Sequence, residues 1–86
     1  MTTRVELERT LSEMPGVHAV KVVGDYNLIA TVISGSFAQQ DEALRQENVW
    51  KYLSETLGSG ELQNIEFIFT STPEENAAVS SRSSVD

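Results

Sequence analysis

Few side chains in this sequence carry chemistry, and their spacing limits what each can do. His18 is the single histidine and there is no cysteine, so neither a thiolate site nor a paired-imidazole metal site is expected, and His18 reads as an ordinary strand residue. The adjacent acids Asp41-Glu42 and Glu74-Glu75 diverge on a helix, which argues against paired acid/base carboxylates. Solvated helix faces and first turns, where the helix dipole favours carboxylates, account for them. Ser36, Ser59 and the serines after residue 79 have no neighbouring base that would activate a nucleophile. Gly58-Ser59-Gly60 follows a helical stretch, whereas a phosphate cradle needs glycines after a strand and before a helix. It reads as a helix C-cap and loop. Trp50 and Tyr52 lie in a helical stretch rather than on a basic surface, so a base-stacking platform is not indicated; Trp50 is expected in the core and Tyr52 on the surface or at the core's rim. No catalytic residues, no cofactor and no metal are expected. What remains is Gly24-Asp25-Tyr26-Asn27, a turn stocked with turn-formers that carries a tyrosine at its tip. A plain tight turn and a ligand or subunit contact are compatible readings of it.

The elements that would position these residues follow from capping signals and periodicity. Thr3-Arg4-Val5-Glu6 has capping-box spacing, and Leu7, Leu11 and Met14 form one apolar stripe that Pro15-Gly16 ends. Val17 to Val23 and Leu28 to Ile33 are rich in β-branched residues around the turn, which predicts a β-hairpin. Val20, Val22, Leu28, Ala30 and Val32 would then face the helices. Val23, Ile29 and Ile33 would face away, with Lys21 and Thr31 among them. A solvated sheet face should be polar, so this second face is expected to be covered, with another subunit as the cover. Ser36-Phe37-Ala38-Gln39 opens a second helical region to about Leu57. Phe37 and Leu44 share one side of the helical wheel, and Val49, Trp50, Leu53 and Leu57 nearly the opposite one, which predicts a break near Gln46 to Asn48. Leu62 to Thr70 alternates as a third strand, with Ile65, Phe67 and Phe69 on one side and Asn64, Glu66, Ile68 and Thr70 on the other. Thr72-Pro73-Glu74-Glu75 opens a short helix.

Composition bounds the function class. A chain of 86 residues buries only roughly 60 to 65% of its unfolded surface, so oligomerisation would help it. The absence of cysteine points to a reducing compartment, and the N-terminal stretch has neither the look of a signal peptide nor a membrane span. A cytoplasmic protein is expected. Thirteen acids against six bases give a net charge of −7, which repels phosphate backbones and anionic lipid. Nucleic acid and membrane are therefore not expected partners.

The stretch Leu11 to Val32, LSEMPGVHAVKVVGDYNLIATV, resembles the ligand-binding domain of the Lrp/AsnC transcription regulators, also found as stand-alone domains. In that family an amphipathic helix ends in Pro-Gly-Val, and a Gly-Asp-Tyr-Asp turn leads into an apolar strand. The resemblance implies a ferredoxin-like, ACT-like fold that dimerises through its sheets and binds small effectors such as amino acids between subunits, near Gly24, Asp25, Tyr26 and Asn27. Asn27 departs from the family's aspartate. The family's first, central strand is missing, so the third strand should move beside the hairpin or a strand of another chain should fill the gap. No helix-turn-helix is read in these residues, so a DNA-binding regulator of that family is not expected. With a broken second helix the order also resembles BolA-like and type II KH domains.

The expectation is thus an α+β fold: a ferredoxin-like/ACT-like two-layer sandwich lacking the first strand, in the order αββα(α)β. Residues 1–72 would form a single domain, 73–79 a short C-terminal helix and 80–86 a disordered tail. The expected function is a non-enzymatic regulatory or small-effector-binding module. It would self-associate through Val23, Ile29 and Ile33 as a homo-oligomer and bind its effector at Gly24, Asp25, Tyr26 and Asn27. The alternative is an adaptor that docks a larger protein through its acidic surface or an open sheet edge.

Overall fold

A computed structural model describes residues 1–78; the expected tail over 80–86 and the last residue of the 73–79 helix lie outside the described residues. The first helix, α1 (Arg4–Ser12), starts where the Thr3 hydroxyl accepts the Glu6 N–H at 3.2 Å. The Glu6 carboxylate takes the Thr2 hydroxyl at 3.1 Å, so Thr2 and Thr3 together close the N-terminus. Leu7 and Leu11 are fully buried and Met14 packs beside them. Gly16, at φ +84°, supplies the left-handed backbone that turns the chain out of the helix.

Strands β1 (Val17–Val23) and β2 (Leu28–Ser34) form the expected antiparallel hairpin, and β3 (Ile65–Ser71) lies parallel to β2 on its other side. The order β1-β2-β3 places the third strand beside the hairpin, the first of the two expected arrangements. The result is an α+β fold with a three-stranded mixed sheet and its helices on one face. Two bulges adjust the register. His18 is the extra residue between Val17 opposite Ser34 and Ala19 opposite Ile33, and Glu66 is the extra residue between Ile65 opposite Leu28 and Phe67 opposite Ile29. The second bulge corrects the simple alternation read for β3. Ile65 joins Ile68 on the helix side, while Phe67 and Phe69 are exposed on the other.

The second helical region also differs from its expectation. Helix α2 (Glu42–Leu57) is continuous through Gln46 to Asn48, and the break falls earlier, at Gln40, whose extended backbone (φ −122°, ψ 138°) separates α2 from a 3-10 turn over Gly35–Gln39. Ser34, not Ser36, caps that turn, and Asp41 caps α2 by accepting the Leu44 N–H at 2.9 Å. The conflict between the Phe37/Leu44 side of the wheel and the side of Val49, Trp50, Leu53 and Leu57 is resolved because Phe37 lies outside α2 and Leu44 falls on the outer face of that helix. Phe37 enters the core and Leu44 stays exposed. Leu7, Leu11, Leu28, Ala30, Val32, Val49, Leu53 and Ile68 complete that core with no exposed surface. At about 1.5 to 3 kcal/mol for each large side chain so buried, this one layer carries most of the fold's stability. No helix among the described residues is long and apolar enough to cross a membrane.

Candidate interaction surface

Among the described residues, the sheet turns one side to α1 and α2 and leaves the other bare. Strand register fixes which residues share that bare side. Val23, Ile29 and Phe67 stand in one row, Lys21, Thr31 and Phe69 in the next, and Ala19, Ile33 and Ser71 in the third. Val23, Phe67 and Phe69 are 45%, 47% and 52% exposed, and Ile29 and Ile33 are partly exposed between the outer strands. The two phenylalanine rings meet edge to face with centroids 4.6 Å apart, the geometry that aromatic quadrupoles favour. Of nine positions in the three rows, Lys21 alone is charged, on a chain whose net charge is −7. The structure thus brings together Val23, Ile29 and Ile33 as expected. Phe67 and Phe69, which sequence reading did not assign to this face, are its largest members; their signal was an apolar β3, obscured by the bulge at Glu66.

The turn Gly24-Asp25-Tyr26-Asn27 lies at the end of this face, directly after Val23. Gly24 sits at φ +106°, and a Cβ there would run into the Asn27 carbonyl oxygen, so the turn demands glycine. Tyr26 is 59% exposed. Its carbonyl, however, is held from below: buried Asn64 donates from Nδ2 to Tyr26 O at 2.8 Å and to Thr2 O at 2.9 Å, while Leu28 N donates to Asn64 O at 2.9 Å. Two carbonyl acceptors on one amide nitrogen fix its orientation. The Asn64 Oδ1 is buried and meets no donor among the described residues. No family model matches this chain, and no curated protein or solved structure does either. The geometry therefore has to speak for itself.

The other singled-out residues are structural. Ser34 donates to Gly16 O at 2.8 Å and so accepts both the Ser36 hydroxyl at 2.7 Å and the Ser36 N–H at 3.2 Å, a clasp between the loop after α1 and the end of β2. The His18 ring lies against Gly35, with Nε2 3.2 Å from where a Cβ would stand, but among the described contacts no hydrogen bond joins it to either serine. Glu42 accepts the Thr70 hydroxyl at 2.9 Å and the Gln46 amide at 3.0 Å. Gln46 in turn donates to Ile68 O at 2.7 Å and accepts from Trp50 Nε1 at 3.0 Å. This ladder, one helical turn per step, fastens α2 along β3. Trp50 is partly buried against the core and Tyr52 donates to Thr10 O at 3.0 Å. Among the described residues no group of three or more His, Asp or Glu side chains is placed to hold a metal.

A contact without a sequence signal closes the opposite corner. Arg45, 8% exposed, donates from Nε to Phe37 O at 3.1 Å and Gln40 O at 2.9 Å, and from its two terminal nitrogens to Glu75 at 2.9 and 3.1 Å. Its guanidinium carbon stands 5.7 Å from the centre of the Phe37 ring. Thr72 and Glu75 satisfy each other's backbone N–H groups at 3.0 and 3.1 Å, starting the helical turns over residues 73–78. The Arg45 hydrogen bonds, then the Thr72 N–H, hold the Glu75 carboxyl below its ordinary value of 4.5. The same hydrogen bonds raise Arg45 against the opposing effect of burial.

Proposed function

We propose that this chain is a non-enzymatic regulatory or small-effector-binding module that self-associates through the sheet face carrying Val23, Ile29, Ile33, Phe67 and Phe69. The observation that supports this reading is that face itself: two exposed phenylalanines and a line of aliphatic side chains on a chain otherwise rich in acids. A basic partner would seek carboxylates, and the three rows hold none; an acidic one would be repelled by the rest of the molecule. A second copy brings a face of the same apolar kind. Three strands about 4.8 Å apart and seven residues long at about 3.3 Å each give a patch of roughly 14 by 23 Å. That is well under the ~800 Å² per partner of a standard interface, so the association is weak and shows only at high concentration.

The effector, on this reading, binds beside Gly24, Asp25, Tyr26 and Asn27, where the second copy supplies a wall at the end of the shared face. The same assembly agrees with the ferredoxin-like, ACT-like architecture implied by the Lrp/AsnC resemblance over Leu11 to Val32. Docking of a larger protein on a sheet edge is the competing reading, and the edge position of β3 favours it. Against it, Gln46 already occupies the Ile68 carbonyl that an added strand would use.

Sedimentation velocity or light scattering across a micromolar-to-millimolar series tests the proposal. The wild-type mass should rise towards that of a dimer, and Ile29→Asp should remain monomeric. Phe67→Ser, at a more exposed position, serves as the milder variant if Ile29→Asp unfolds. A wild-type chain that stays monomeric throughout, with its sheet face bare, overturns the proposal.

A further inference from the structure

The bare face is asymmetric across its width, and this asymmetry constrains how two copies meet. Along β1 it presents Ala19, Lys21 and Val23, and along β3 Ser71, Phe69 and Phe67, with Ile33, Thr31 and Ile29 between them. Bulk is concentrated on the β3 side, and the one charge sits on the β1 side. Two identical faces that pack against each other are related by a twofold axis lying between the sheets. If that axis runs along the strands, β1 of one copy lies over β3 of the other and each row meets the same row. If it runs across the strands through the middle row, β1 lies over β1 and β3 over β3.

Resting on the reading that a second copy covers this face, we infer that the copies pack with their strands running in the same direction, about a twofold axis parallel to β2, placing Lys21 of each over Phe69 of the other. The alternative brings the two Lys21 ammonium groups together in a dry interface where none of the nine facing positions offers a carboxylate, and an uncompensated buried charge is costly. Over Phe69 the ammonium instead meets the negative face of an aromatic ring, an attractive contact out to about 6 Å from the centroid. The apolar row follows the same logic. Val23 lies under Phe67 of the other copy, so the smaller side chain of each outer strand receives the larger.

The test is a pair of opposite charges at one position. Phe69→Glu puts a carboxylate over Lys21 of the other copy and should leave the dimer dissociation constant within about threefold of wild type, whereas Phe69→Lys should raise it about tenfold or more. The overall charge works against this outcome, because the glutamate makes a net charge of −7 more negative and the lysine makes it less so. The double variant Lys21→Glu/Phe69→Lys restores complementary charge within one chain and should recover dimerisation. Circular dichroism confirms that each variant is folded. With the axis across the strands, glutamate meets glutamate and lysine meets lysine, and the double variant still pairs like with like. Equal weakening by both single variants, or no recovery in the double variant, therefore overturns the axis while the dimer stands. A wild-type chain that is monomeric at every concentration overturns the axis together with the reading it rests on.

Discussion

The two faces of the sheet are made from the same strands and nearly the same residue types, yet they are finished differently. On the helix side, Val22, Leu28, Ala30, Val32 and Ile68 are buried beneath Leu7, Leu11, Val49 and Leu53. The seams there are fastened by polar contacts: Tyr52 to Thr10, the Glu42–Gln46–Trp50 ladder along β3, and Arg45 to Glu75. The three paired rows of the bare side hold Val23, Ile29, Ile33, Phe67 and Phe69 with one charge, Lys21, and no such fastening among the described residues. The lesson is that apolar content alone does not make a core. A layer supplied by the same chain can be closed with specific hydrogen bonds, whereas the layer proposed to receive a second copy would carry its complementarity in the pattern of bulk and charge across its surface.

That comparison breaks most sharply under truncation. Leu28→Ala removes a fully buried side chain and should cost about 2 to 5 kcal/mol of folding stability. Phe69→Ala, on the bare side, should cost about 0.5 kcal/mol or less in a dilute monomer while raising the dimer dissociation constant about tenfold. Denaturant melts at low concentration, set beside sedimentation at high concentration, measure both. A large melt effect from Phe69→Ala under dilute conditions would mean that its ring supports the single chain, and the division between the faces would fail.

How much of this could be read from the sequence depends on how local each determinant is. The hairpin faces were legible because β1 and β2 are joined by a short turn and alternate in period, so Val20, Val22, Leu28, Ala30 and Val32 separate from Val23, Ile29 and Ile33. The side of β3 was not, because the bulge at Glu66 arises from pairing with a strand 37 residues earlier at Ile29, and alternation carries no record of it. The helical-wheel conflict between the side of Phe37 and Leu44 and the side of Val49, Trp50, Leu53 and Leu57 correctly signalled an interruption but not its place; the extended backbone at Gln40 and the Asp41 cap decide that. The turn at Gly24 was legible as a turn, while its support by Asn64 joins distant segments and was not.

The seams offer a finer test of the covered side. Tyr52→Phe removes the hydroxyl that donates to Thr10 O at 3.0 Å, leaving a carbonyl at the C-terminal end of α1 without this donor. A cost of about 0.5 to 1.5 kcal/mol is expected, measured by denaturant midpoint at constant m-value. Association should be unchanged, because the hydroxyl acts on the helix side. A shift in the dimerisation constant without a loss of stability would show that the two faces communicate.

The smallest effect concerns the corner closed by Arg45 and Glu75, and pH isolates it. Glu75 is held below its ordinary value of 4.5, first by hydrogen bonds from Arg45 and then by the Thr72 N–H. A carboxyl whose folded-state pKa is depressed binds fewer protons in the folded chain than in the unfolded one, so it adds stability that is complete above the unfolded value and is lost as pH falls through the folded value. Wild type should therefore lose protection of the Asn76 N–H, which donates to Thr72 O at 2.9 Å, as pH falls below about 4.5. Glu75→Gln should show weaker protection already at neutral pH and little further change over the same interval. Its global stability should shift only slightly, since the Glu75 side chain is half exposed and solvent screens such a pair. Arg45, nearly buried, keeps its bonds to Phe37 O and Gln40 O in that variant, so the 3-10 turn and α2 stay joined while the helical turns over residues 73–78 loosen. If hydrogen exchange at Asn76 follows the same pH course in both proteins, the carboxylate is not what holds that segment, and the corner would have to be closed by the Thr72 cap alone.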